Sequence, residues 1–187
     1  MSGLLFLALF HLHALRLPTP MTLRLYLAGP DVFRPDPIAP GDTLKTLCGE
    51  YGFTGLYPLD NTVAPRADGP STAAEIYRQN IALIDVADVV MANVMDFRGY
   101  EPDSGTSFEI GYAVARGKDV WCYNVPPVPL ISQVPNTGGT DLDGWAVEDF
   151  GLPRNLMLAC SSRLVVGDAR ACLERMRAHY AGACPAG

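Results

Sequence analysis

Short apolar runs alternate with stretches of helical spacing along most of this chain. Residues 23–28 form an apolar run that ends at Gly29-Pro30, which reads as a strand feeding a turn. Residues 43–51 carry apolar positions at helical spacing through Leu44, Leu47 and Cys48. Residues 54–59 read as a second short strand, closed by the turn-forming pair Asp60-Asn61. Residues 72–86 are broadly helical, with Ile76, Tyr77, Ile81, Ile84 and Val86 as the apolar set. A buried strand over 88–95, a helix over 107–116 and a strand over 119–124 follow. A long loop rich in Pro and Gly, residues 125–151, then leads to a short helix over 153–159, a strand over 163–166 and a closing helix over 169–180.

Strands that alternate with helices predict parallel βαβ units joined by right-handed crossovers. Five such strands predict an α/β fold, a flavodoxin-like three-layer sandwich with a five-stranded parallel sheet. In sheets of this kind ligands bind at the carboxyl ends of strands near a topological switch point. Three segments fall at that edge: Gly29-Pro30-Asp31-Val32-Phe33, Asp60-Asn61, and residues 98–109. The long loop is of a length that is usually functional in a compact domain.

Composition narrows the chemistry. A chain of 187 residues fits one domain, assigned here to residues 21–187, and 49% hydrophobic with 18% charged residues is globular. A net charge of −6 and the lack of any Lys/Arg run argue against a nucleic-acid polymer or an anionic membrane as partner. The apolar stretch at residues 4–15 is short for a bilayer span, and it lacks the basic flank of a secretory signal. Met21 stands directly before the first predicted strand, so residues 1–20 read as an upstream extension or a mis-assigned start, with a cleaved leader as the alternative.

Five cysteines, an odd number with no ligand-type spacing, read as reduced thiols of a cytoplasmic protein. The three histidines are His11, His13 and His179, a poor basis for a Ser-His-Asp, Cys-His or zinc site. Neither G-x-G-x-x-G nor G-x-x-x-x-G-K-[ST] occurs, so no dinucleotide or P-loop site is expected, and no cofactor or metal. The chemistry falls to carboxylates.

Residues 99–113 place Asp103 and Glu109 around a Gly105-Thr106 turn that opens a helix. Glu109 is expected in the first helical turn, where the positive end of the macrodipole keeps a carboxylate ionised, with Gly105 and Gly111 leaving room for a ligand. Such a group suits attack on a sugar C1′. A second reading stands beside it: Thr106-x-x-Glu109 is also a capping box.

Four segments together carry a resemblance. They are Leu25-Tyr26-Leu27-Ala28-Gly29-Pro30 with Phe33; Tyr57-Pro58-Leu59-Asp60-Asn61; residues 98–113; and Gly151-Leu152-Pro153-Arg154-Asn155-Leu156-Met157-Leu158. The chain resembles the nucleoside 2-deoxyribosyltransferase family, whose members move a deoxyribosyl group from a 2′-deoxyribonucleoside to a free nucleobase. The resemblance implies that Glu109 is the nucleophile, that Tyr26 orients it and that Asp103 binds sugar hydroxyls. It implies substrate contacts from Gly29, Phe33, Asp60, Asn61, Asn80 and Gly105. It further implies a homo-oligomer in which Asn155 and Met157 reach a neighbour's site. Asn80 departs from the pattern: some members have an aspartate there that protonates the leaving base, and an amide cannot deliver a proton. Asp60 and Asp85 are substitute candidates, and the departure points toward purines.

Two rivals remain. One is an N-hydrolase acting on deoxynucleoside monophosphates, against which Asp31 and Asp103 would repel a 5′-phosphate, with Arg98 offsetting part of the charge. The other is a non-catalytic nucleoside-sensing module.

Overall fold

The strands are apolar on both faces because helices cover both sides of the sheet. In the computed structural model, which describes residues 22–60 and 68–182, β1 (Arg24–Ala28) buries Leu25 and Leu27 on one face and Tyr26 and Ala28 on the other. β3 (Val89–Asn93) is buried throughout, and β4 (Asp119–Tyr123) is buried in all but its first residue. With β2 (Thr54–Leu56) and a short strand at Arg163–Leu164, they form a five-stranded parallel sheet. Its spatial order runs β2, β1, β3, β4 and then the Arg163–Leu164 strand, the flavodoxin-like arrangement expected from the sequence.

Period-two alternation divides the core. Leu25, Leu27, Val89, Met91, Trp121 and Tyr123 face α1 (Ile38–Glu50) and the closing helix (Ala169–Gly182), packing with Cys48, Cys172, Leu173 and Met176. Tyr26, Ala28, Val90, Ala92, Val120 and Cys122 face α2 (Gly69–Val86) and α3 (Ser104–Ala115), packing with Ile84, Ile110 and Ala113. Tyr26 is therefore committed to the α3 side by strand parity alone.

Helix starts differ from the expected ones for local reasons. α1 begins at Ile38 rather than residue 43, because Pro40 lies in its first turn, where a missing N–H costs nothing. α2 begins at Gly69, with Asp68 accepting from Ser71 N at 2.7 Å. The loop over 125–151 is not structureless. It contains a 3-10 turn at Leu130–Ser132 and a hairpin of β5 (Asn136–Thr137) and β6 (Thr140–Asp141), turned by Gly138 and Gly139, both at positive φ. A Gly-Gly pair is the composition that such a two-residue turn needs. The last helices follow: α4 (Leu156–Ser161), three residues later than expected, and α5, the closing helix, with the Arg163–Leu164 strand, β7, between them.

Arg154 ties this loop down. Its side chain is fully buried; Nη2 donates to Val94 O at 2.6 Å and Asp96 Oδ1 at 2.7 Å, and Nη1 donates to Tyr100 O at 2.9 Å. One guanidinium thus fixes the chain between β3 and α3. The expectation for residues 1–20 lies outside the described residues, as does that for Asn61. No helix among the described residues is long and apolar enough to cross a membrane.

Candidate active site

Tyr26 and Glu109 are 83 residues apart and meet because strand parity and one helix face point them at each other. Tyr26 OH donates to Glu109 Oε1 at 2.6 Å. Beside them lies a cavity of about 300 Å³ lined by Gly29, Val32, Phe33, Pro58, Leu59, Ile76, Asn80, Asp103, Gly105, Thr106 and Glu109. It opens where the ends of β1, β2 and β3 converge, at the reversal of strand order.

The structure corrects the expected setting of Glu109. It is the sixth residue of α3, not a first-turn residue, so the helix N-terminus does not hold it ionised. Nor does the capping box form. Asp103 is the N-cap, its Oδ2 accepting from Thr106 N at 2.9 Å and Thr106 Oγ1 at 3.2 Å, while Glu109 turns inward to Tyr26. Burial pushes the Glu109 carboxyl up from 4.5 to about 7; the Tyr26 hydrogen bond opposes this and the Asp103 charge adds to it. Burial, with the Glu109 charge and hydrogen bond adding, drives the Tyr26 phenol far above its ordinary value, so Tyr26 remains a donor.

Other expected residues divide into those the fold gathers and those it does not. Gly29, Phe33, Asn80, Asp103 and Gly105 line the cavity with Glu109. A Cβ at Gly105 would stand 3.0 Å from Asp103 Oδ2, so a side chain there would crowd the cap. Gly111 faces open space and does not line the cavity. Asp60 is turned away from the lining: Oδ1 accepts from Lys45 Nζ at 2.5 Å and Oδ2 from Tyr57 N at 2.7 Å. Asp85 holds Tyr112 OH at 3.0 Å and Arg116 Nε at 3.1 Å. Neither carboxyl replaces an acid at Asn80.

Asn155 caps α4, with Oδ1 accepting from Met157 N at 3.0 Å and Nδ2 donating to Glu148 Oε1 at 2.6 Å. The asparagine therefore has a local task in its own chain. It does not line this cavity, nor does Met157, whose side chain is 71% exposed.

The charges expected to repel a phosphate are also altered. Asp31 is paired with Arg34 at 2.8 Å, and Arg98 lies over the rings of Phe97 and Phe33 at 4.7 and 5.7 Å. Val32, Pro58, Leu59 and Thr106, which stood in the quoted segments without an assigned contact, also line the cavity, as does Ile76. Ile76 belonged to the apolar set expected to pack its helix, yet it is exposed on a largely solvated helix. Among the described residues no three His, Cys, Asp or Glu side chains converge as a metal site.

Known proteins share this fold. The profile of the nucleoside 2-deoxyribosyltransferase family matches residues 25–157. A solved 2-deoxyribosyltransferase from Leishmania mexicana is similar with a TM-score of 0.71 at 34% identity, covering 84% of this chain and 99% of that one. A conserved protein from Enterococcus faecalis shares the fold, with a TM-score of 0.53 at 17% identity over 84% of this chain and 99% of that one. An uncharacterized protein of Schizosaccharomyces pombe is 37% identical over 97 residues, 50% of this chain; the match spans 46% of that curated relative's length.

Proposed function

This chain belongs to the nucleoside 2-deoxyribosyltransferase family, and from that premise we propose that it moves the 2-deoxyribosyl group of a 2′-deoxyribonucleoside to another free nucleobase. The observation that carries the reading is the Tyr26–Glu109 hydrogen bond beside a cavity of about 300 Å³. The ionised Glu109 attacks C1′ with the oxygen that Tyr26 leaves free, the C1′–N bond breaks, and its electrons leave with the base. The departing base takes up one proton. An incoming base then attacks C1′ from the vacated face, expels the Glu109 carboxylate and gives up its own proton. Two displacements give net retention. Asp103 has its Oδ2 committed to Thr106 and offers Oδ1 to a sugar hydroxyl.

Base preference follows from Asn80. An amide in the wall can donate a hydrogen bond to the leaving base but cannot protonate it. Purines, which can be protonated elsewhere on the ring, are the preferred substrates. The reading extends to a homo-oligomer: Met157, Trp145, Phe150 and Leu142 are large apolar side chains left exposed around the Asn155 segment, which suits a surface that completes a neighbour's site.

The test is base exchange. Deoxyinosine with free adenine gives deoxyadenosine if the protein is a transferase, whereas deoxyinosine 5′-monophosphate gives hypoxanthine and 2-deoxyribose 5-phosphate, with or without adenine, if it is a hydrolase. The hydrolase is the second reading, and the Asp31–Arg34 pair favours it by lessening the repulsion of a 5′-phosphate. A 2-fluoro-arabinosyl nucleoside should add its sugar mass to the peptide bearing Glu109. A protein that binds nucleoside but is never labelled is a sensor.

A further inference from the structure

The carboxyl ends of three neighbouring strands are joined by one amide that does not line the cavity. Asn93, the last residue of β3, is 4% exposed. Its Nδ2 donates to Asp31 Oδ2 at 3.0 Å, and its Oδ1 accepts from Asn124 Nδ2 at 2.9 Å and from Met95 N at 3.2 Å. The carboxylate decides which way the amide faces, because only its NH2 side can donate to Asp31. Gly29 is seated directly against this side chain: at φ 157, a Cβ there would lie 2.8 Å from Asn93 Cβ.

Both partners lead to the cavity wall. Asp31 belongs to the 3-10 turn Pro30–Phe33, which brings Val32 and Phe33 to the cavity. Met95 begins the segment that carries Phe97, whose ring stacks on Phe33 with centroids 5.3 Å apart. Phe33 is itself 57% exposed and has little core to hold it. Its place depends on Asp31 in the same 3-10 turn and on the Phe97 ring stacked against it, and both segments are bonded to Asn93.

We propose that Asn93 is a positioning residue for the substrate pocket: through Asp31 and the Met95 amide it fixes the Phe33 wall relative to Glu109 and so sets substrate affinity. The inference rests on the reaction assigned above. A residue that only held the sheet together would change stability and leave substrate affinity alone.

The test measures KM and kcat for deoxyinosine in base exchange, with melting temperature in parallel. Asn93→Asp sets a carboxylate against Asp31, and Asn93→Ala cuts the link without adding charge. Both are expected to raise KM about tenfold, the size of one lost hydrogen bond, with kcat within about threefold of wild type. The reciprocal exchange Asp31→Asn with Asn93→Asp again faces one amide donor with one carboxylate, and keeps acceptors for Asn124, the Met95 amide and Arg34. It should return KM to within about twofold of wild type. Phe33→Ala should raise KM similarly, and adding Asn93→Ala to it should raise KM little further, since both act on one wall.

An unchanged KM in the single variants overturns the inference. So does an exchange that restores melting temperature but not KM, or a fully multiplicative effect with Phe33→Ala. Absence of base exchange in the wild-type protein is a different failure: it removes the reaction itself, before any variant is compared, and this inference with it.

Discussion

Glu109 should weaken the fold at the pH where it works. Its carboxyl is raised from 4.5 to about 7, chiefly by burial, so the folded state holds this proton more tightly than the unfolded chain does. The contribution to stability is complete below about pH 4.5, declines as pH rises and is lost once pH passes about 7. A rise from 4.5 to about 7 corresponds to about 3 kcal/mol at full ionisation. Glu109→Gln keeps the shape and an acceptor for Tyr26 OH but removes the charge. Near pH 4.5 it should match wild type, and at pH 8 it should be more stable by up to about 3 kcal/mol, roughly 6–12 °C in melting temperature for a domain of this size. The assay is thermal unfolding of both proteins from pH 4.5 to 8.5, beside base exchange, in which Glu109→Gln should be inactive because an amide is not a nucleophile. A melting difference that does not change with pH would refute the claim that burial strains this carboxylate. Retained exchange activity would place the nucleophile elsewhere.

Tyr26→Phe removes the hydrogen bond that opposes the rise at Glu109, so the ascending limb of kcat/KM against pH should move above 7. Losing a bond to a charged group worth about 1.5–3 kcal/mol predicts a fall of roughly 10- to 100-fold in rate at neutral pH. An unshifted limb would show that Tyr26 does not tune the carboxylate. Arg154→Met leaves Val94 O and Tyr100 O without their buried donor and should cost about 3 kcal/mol or more in urea unfolding; a loss below about 1 kcal/mol would mean that the guanidinium is not what anchors the segment before α3. For the shared site, Asn155→Ala and Glu109→Ala should each be nearly inactive alone and regain activity when mixed and re-associated, about half per heterodimer in a two-site dimer. Because Asn155 also caps α4, melting temperature is measured beside it, and no recovery after proven subunit exchange would confine Asn155 to its own chain.

What the sequence determined by itself was whatever depends on neighbours along the chain. Apolar runs of strand length between helical repeats are local signals, and they were enough for the five strands of the main sheet and their parallel direction, but not for the β5–β6 hairpin. The clustering of Asp103, Gly105 and Glu109 within a few residues of one helix start was equally legible. Tertiary structure decided what those groups became. Asp103 and Thr106 are both good caps; the fold uses Asp103, and Glu109 is bonded instead to Tyr26, which arrives from β1. The raised carboxyl of Glu109 is a sum over everything packed around it, and no spacing encodes that sum. Asp60 stood in a motif, yet Lys45 claims it. Asn93 carried no pattern at all, and Arg154 stood in a motif that said nothing of its role, because a buried polar side chain is defined by the partners that satisfy it, and those partners lie on segments brought close only by folding.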